Sequence, residues 1–162
     1  MDFSLSEEQK QVQDLINQFI AKDYPFDVRE KLVKSEEGFS KEFWKTFGEF
    51  GLLAMPFPED DGGFNGGPVD LMVILEAFGT GLVVEPYIPN VVLSGNLISK
   101  LGNKKQKDEI LPKLFSGELQ MSFAFTEPQS RFDLNDITTS AKLEGDNYLS
   151  LIHISEPTRR IL

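Results

Sequence analysis

The chain contains no cysteine, which excludes disulfides, zinc–thiolate centres and thiol nucleophiles. It has one histidine among 162 residues, so imidazole clusters for metal or proton relay are excluded too. Positive charge is scarce: 16 Lys and Arg stand against 26 Asp and Glu, for a formal net charge of −10. Binding to nucleic acid needs clustered cations to neutralise phosphates, and this acid excess argues against it. No apolar run is long enough to span a bilayer. The opening Met-Asp-Phe-Ser-Leu-Ser-Glu-Glu-Gln is polar and acidic, with no basic segment or apolar stretch of a secretory leader. The compartment expected from these absences is the cytoplasm. What is present is a 40% hydrophobic content, sufficient for a packed core.

Helical signals dominate the first 119 residues. Ser6 and Gln9 form a capping box ahead of Val12, Leu15, Ile16, Phe19 and Ile20, which recur at helical spacing. Pro25 ends that helix, and a short one is expected from Asp27 to Lys34. Ser40 caps a third, whose stripe of Phe43, Trp44, Phe47 and Phe50 reads as helix–helix core rather than a ligand box. Met55 to Gly67 is a loop of Pro, Asp and Gly. Its glycine pairs do not make a phosphate loop, because the spacing is wrong and no Lys-Ser/Thr follows. Pro68 opens a fourth helix that is apolar nearly all round, and a central position is expected for it. Another apolar helix runs from Ile88 to Leu101, with Gly102 as its stop. Asn103 caps a last helix through Phe115. Its Lys104, Lys105 and Lys107 read as a solvated face.

From Gln120 the period changes. Met121 to Thr126 alternates as a strand should, Ile137 to Leu143 reads as a second strand, and Gly145-Asp146-Asn147 as a turn into a third at Tyr148. The expected organisation is a helical domain over 1–119, the start of a β-domain over 120–148, and a distinct tail over 149–162. Leu149 to Arg159, Leu-Ser-Leu-Ile-His-Ile-Ser-Glu-Pro-Thr-Arg, resembles the in-frame translation of a transposase adapter used in sequencing libraries. On that reading the tail is non-native and His153, the sole histidine, has no functional role.

Several ordered pieces resemble the acyl-CoA dehydrogenases. They are Leu5-Ser-Glu-Glu-Gln9, Phe50-Gly-Leu-Leu53, Pro58-Glu-Asp-Asp-Gly-Gly63, Glu76-Ala-Phe-Gly79, Gly102 with Gln106-Lys107, and above all Phe125-Thr-Glu-Pro128. Val84-Glu-Pro-Tyr87 and Arg131-Phe-Asp-Leu134 look closest to the small subunit of pimeloyl-CoA dehydrogenase. The resemblance implies a mostly α fold: an N-terminal helical domain followed by the truncated start of a β-barrel-like middle domain. It implies FAD as cofactor, oxidation of an acyl-CoA thioester to the 2,3-enoyl-CoA, an electron-transfer flavoprotein as acceptor, and a homo- or hetero-oligomer. It places Phe123, Phe125 and Thr126 beside the flavin, the phenylalanines serving as strand core, cofactor wall or both. Arg131 and Phe132 stand where many relatives carry Gly-Ser, and are candidates for contact with substrate. Glu127 is expected to stabilise its turn rather than act as base. No catalytic residue is assigned, because the family's base lies in a C-terminal region beyond this sequence. The alternatives are a non-catalytic scaffolding subunit and a flavin monooxygenase on the same fold.

Overall fold

The computed structural model describes residues 4–131, 133–145 and 147–151, the last five by their backbone alone. Ser6 Oγ accepts from the Gln9 amide at 3.2 Å while Gln9 Oε1 accepts from the Ser6 amide at 3.0 Å. This reciprocal cap satisfies two donors that the helix itself leaves orphaned. It opens α1, Glu7–Asp23. Pro25 then leads straight into α2, Phe26–Lys34. Ser40 Oγ accepts from the Phe43 amide at 3.1 Å and starts α3, Lys41–Glu49. A turn-rich stretch with a 3₁₀ turn at Glu59–Asp61 precedes α4, Pro68–Gly81. A π-helix, Ile88–Gly95, runs without a break into α5, Asn96–Leu101. A second reciprocal cap, between Asn103 and Gln106, opens α6, Lys104–Phe115. Last comes an antiparallel pair, β1 (Ser140–Glu144) and β2 (Asn147–Leu151), with Leu143 opposite Tyr148. The fold is mostly helical, as the sequence predicts.

The chain divides into two compact units, Met1–Ser122 and Phe123–Leu162. In the helical unit the aromatic stripe of α3 is core. Trp44 and Phe47 are each 1% exposed. Phe19 of α1 meets Phe43, Phe47 and Phe50 edge-on at 5.2–6.0 Å between ring centres. Phe47 stacks on Phe78 of α4 at 4.8 Å. Such pairs add about 0.5–1.5 kcal/mol each beyond the area they bury.

One polar node is sealed into this apolar surround. Tyr24, the residue after α1, donates its hydroxyl to Glu85 Oε2 at 2.9 Å and accepts from the Val84 amide at 3.1 Å. Glu85 Oε1 accepts from the Ser40 amide at 3.2 Å. A single buried carboxylate therefore joins the end of α1, the start of α3 and the segment after α4. Burial raises the Glu85 carboxyl above its ordinary value, and the hydrogen bonds from Tyr24 and Ser40 only partly oppose this.

Three features depart from the sequence reading. The apolar helix at Ile88 is a π-helix through Gly95. Pro89 has no amide to give, and side chains take up carbonyls: Ser94 Oγ donates to Pro89 at 2.7 Å, Asn96 Nδ2 to Val91 at 3.3 Å and Val92 at 3.2 Å. Gly95 is required there, since a Cβ would lie 2.6 Å from the Phe57 ring and 2.8 Å from Leu114. α4 is not covered all round. Val73, Ile74, Ala77 and Phe78 are buried, but Val69 and Met72 are about half exposed. Finally, 121–126 form no strand, because no described segment pairs with them. The next strand begins at Ser140, not Ile137. Alternation makes a segment fit for a ladder but cannot supply its partner.

Tyr24→Phe removes a buried donor to a carboxylate and is expected to cost about 1.5–3 kcal/mol by urea unfolding. The raised Glu85 carboxyl makes its contribution fully present below its ordinary 4.5 and lost as pH rises through the folded-state value. The urea midpoint of the wild type should therefore fall relative to Glu85→Gln as pH rises above the ordinary carboxyl value.

Candidate functional site

The Phe125-Thr-Glu-Pro128 corner belongs to the second unit and is built on Glu127. Glu127 is 4% exposed. Its Oε2 accepts from the Thr138 amide at 2.8 Å, from the Thr138 hydroxyl, and from Gln129 Nε2 at 2.6 Å; its Oε1 accepts from the Thr139 amide at 3.0 Å. These donors, the Thr138 hydroxyl foremost, hold the carboxyl far below the usual range. Ser130 closes the turn: its amide and hydroxyl both donate to the Glu127 carbonyl, at 3.2 and 2.9 Å, and its Oγ accepts from the Glu127 amide at 3.3 Å. With every oxygen engaged, Glu127 is a clasp and has no capacity to serve as a base.

The clasp presents an apolar and polar edge. Phe123 and Phe125 are 40% and 46% exposed, with ring centres 5.8 Å apart and planes tilted by 39°. Thr126 is exposed, and its hydroxyl makes no hydrogen bond among the described residues. Two accessible rings and a free hydroxyl in sequence suit a flat ligand with a polar edge. Arg131 is exposed and stands at φ 48°, a left-handed conformation that a non-glycine residue rarely adopts. Phe132 and His153 lie outside the described residues. Thr138 and Thr139 were not singled out from sequence; they face Glu127 only because the chain turns back eleven and twelve residues later.

The helical unit carries a separate hollow of about 660 Å³ beside the end of α4, walled by Leu75, Phe78, Val83 and Ile88, with Arg29 and Glu85 as its charged members. The lysines of α6 divide. Lys104 pairs with Asp108 at the surface at 3.2 Å. Lys107, read from sequence as part of a solvated face, instead turns inward to Asp61 at 3.2 Å. Asp61 also accepts from the Ser99 hydroxyl, so the lysine is a tie between the 3₁₀ turn, α5 and α6. Asn103 Oδ1 caps the start of α6 by accepting from the Gln106 amide at 2.9 Å. Among the described residues there is no cluster of His, Asp or Glu fit for a metal, and no helix long and apolar enough to cross a membrane.

Glu127→Gln removes an acceptor from the Thr138–Thr139 pair. Amide exchange at these two threonines should quicken by about tenfold or more while the helical circular dichroism is unchanged. The clasp's contribution is present above the ordinary carboxyl value of 4.5 and is lost as pH falls through the depressed one, so the same loss of protection should appear in the wild type only in strong acid.

Residues 6–118 match the family described as "Acyl-CoA dehydrogenase, N-terminal domain". Mitochondrial isovaleryl-CoA dehydrogenase of Bos taurus is 31% identical over 147 residues, which is 90% of this chain and 34% of that protein. The crystal structure of an acyl-CoA dehydrogenase from Geobacillus kaustophilus is similar with a TM-score of 0.76 at 28% identity, over 93% of this chain and 39% of that one. An acyl-CoA dehydrogenase from Bacillus anthracis, complexed with FAD, has a TM-score of 0.76 at 29% identity, over 91% and 26% of the two chains. The chain thus spans about a third of the length of the curated relatives it matches. With that span, and with the helical order that carries it, the chain belongs to the acyl-CoA dehydrogenase family.

Proposed function

We propose that the chain is the leading portion of an FAD-dependent acyl-CoA dehydrogenase that converts an acyl-CoA thioester to the 2,3-enoyl-CoA. The observation that carries this reading is the match over residues 6–118. The exposed Phe123–Phe125 pair and the free Thr126 hydroxyl support it, because they fit the edge of an isoalloxazine ring. FAD, when bound, supplies the acceptor for the β-hydride while a carboxylate takes the α-proton. In this chain Phe123 and Phe125 would shield the ring from water, Thr126 would donate to its polar edge, and the Glu127 clasp would hold the corner that carries them. Glu127 and Glu85 both spend their oxygens on internal donors, so neither is free to take the proton. The base is assigned to sequence beyond Tyr148, and 149–162 to translated adapter.

The finer reading is a pimeloyl-CoA-type dehydrogenase acting on a dicarboxyl acyl-CoA, cytoplasmic and oligomeric, passing electrons to an electron-transfer flavoprotein. Arg131 and Phe132 remain its candidate substrate contacts at the corner. The likeness to small-subunit sequences at Val84–Tyr87 and Arg131–Leu134 supports it.

The genomic read past the Tyr148 codon should diverge from Leu149 onward and encode a further helical region with a carboxylate base. The 162-residue chain alone should show neither stoichiometric FAD nor turnover; a yellow, active 162-residue protein overturns the reading. In the enzyme expressed from the complete reading frame, Thr126→Val should raise the Kd for FAD by about tenfold, the loss of one hydrogen bond, without changing the thermal midpoint.

A further inference from the structure

The sequence holds one Asn-Gly pair, Asn65-Gly66, in the glycine-rich stretch that makes no phosphate loop. Both members stand where the backbone demands them. Asn65 has φ 60°, a left-handed conformation that asparagine tolerates better than most side chains. A Cβ on Gly66 would lie 2.6 Å from the Met55 carbonyl oxygen, so glycine is required there. The pair has a chemical consequence of its own. Glycine leaves its amide nitrogen unhindered, and that nitrogen, once deprotonated, can attack the side-chain carbonyl of the asparagine before it.

The fold controls the two partners of this reaction differently. Three successive amides are tied: Asn65 N–H donates to the Phe57 carbonyl at 2.7 Å, Gly66 N–H to the Met55 carbonyl at 2.8 Å, and Gly67 N–H to Asp70 Oδ2 at 2.7 Å. The nitrogen that must attack is therefore engaged, and its proton leaves only when the Met55 bond opens. Asn65 is exposed, and its side chain makes no hydrogen bond among the described residues. The electrophile is free and wet while the nucleophile is locked.

We propose that Asn65 is a deamidation site held in check by the Gly66–Met55 hydrogen bond, and that its isoaspartyl product unfastens the loop ahead of α4. The deprotonated Gly66 nitrogen bonds to Asn65 Cγ, and ammonia leaves with a proton from water. Water then opens the succinimide. Breaking the new N–Cγ bond gives aspartate; breaking the original peptide bond gives isoaspartate, whose main chain runs through Cβ and Cγ. The net exchange is water for ammonia, with no oxidant or reductant. Isoaspartate lengthens the main chain by one atom between two amides that are fixed to the Phe57 and Met55 carbonyls. Gly63 is packed so closely on Phe57 that a Cβ would lie 2.2 Å from the Phe57 carbonyl oxygen, and the loop has no room to take up the extra atom. Nothing in this chemistry depends on the acyl-CoA reading.

The 162-residue chain, native and in urea, is incubated at neutral and mildly alkaline pH. Mass spectrometry then follows the 60–76 peptide released by cleavage after Glu59 and Glu76. Hydrogen exchange on the same samples gives the protection of the Gly66 amide. Both reactions pass through the deprotonated Gly66 nitrogen and both need the Met55 bond open, so both should quicken in proportion to hydroxide. The native chain should deamidate at Asn65 at least about tenfold more slowly than the unfolded one, and the ratio should match the Gly66 protection factor within about threefold. Equal rates in the two states, or a ratio that departs from the protection factor, overturns the guard. Isoaspartate is read by enzymatic methylation of its α-carboxyl. Asn65→Gln, whose longer side chain closes its ring far more slowly, should abolish that methylation and keep the Gly66 protection; methylation that persists in it lies elsewhere and overturns the site. In chain converted in urea and refolded, the isoaspartyl form should lose protection at the amides of 65 and 66. Asn65→Asp, the other product, should keep it. An isoaspartyl form as protected as the wild type overturns the unfastening.

Discussion

Glu85 is the constraint on which the helical unit depends. Taking a carboxylate out of water is costly, and here its compensation is drawn from three places in the chain at once: Tyr24, Ser40 and, through the Tyr24 hydroxyl, Val84. A node of this kind contributes less to net stability than an apolar replacement of equal shape would. What it imposes is position. The Val83–Pro89 segment cannot drift without stranding a buried charge, and it is further pinned where the Tyr87 hydroxyl donates to the Leu52 carbonyl at 2.8 Å. That segment forms one wall of the hollow and leads into the π-helix, so both inherit its fixed placement.

The two buried glutamates show how environment sorts identical side chains. Glu85 has two donors in an apolar surround, and desolvation wins, raising its carboxyl. Glu127 has four donors converging from Thr138, Thr139 and Gln129, and hydrogen bonding wins, lowering it. Both outcomes remove the residue from proton chemistry, one by enclosure and the other by saturation. On the proposed reading, what this chain offers is therefore seating and shielding, by the exposed Phe123, Phe125 and Thr126.

Features encoded within a few residues were legible in the sequence. The caps at Ser6–Gln9, Ser40 and Asn103–Gln106, and the stops at Pro25 and Gly102, are local hydrogen-bonding events whose partners lie three or four positions away. The aromatic stripe of α3 was legible because helical spacing puts its rings on one face. Features that need a distant partner were not. Glu85 meets Tyr24 across 61 positions and Lys107 meets Asp61 across 46, and no pattern around either residue announces the other. The same holds for 121–126, whose alternation suits a ladder, and for Val69 and Met72, whose hydropathy suited a core that does not reach them. At the candidate corner resemblance singled out the rings and Thr126 as candidates, but nothing in the sequence pointed to the threonines that fasten Glu127.

The π-helix carries one residue more per turn than the α-helix that continues it, and so it sets the rotational phase of everything after it. Asn90, in its first turn, is buried and accepts from the Met121 amide; Ser99, in the α-helix that follows, is also buried and reaches Asp61. Deleting a single residue between 91 and 95 would turn the later residues by about 100° relative to the earlier ones. Either the tie to Met121 or the tie to Asp61 would then swing away from its partner. The length of this one helix is consequently under tighter control than its composition: its apolar residues can be exchanged for others of similar size, but its residue count cannot change.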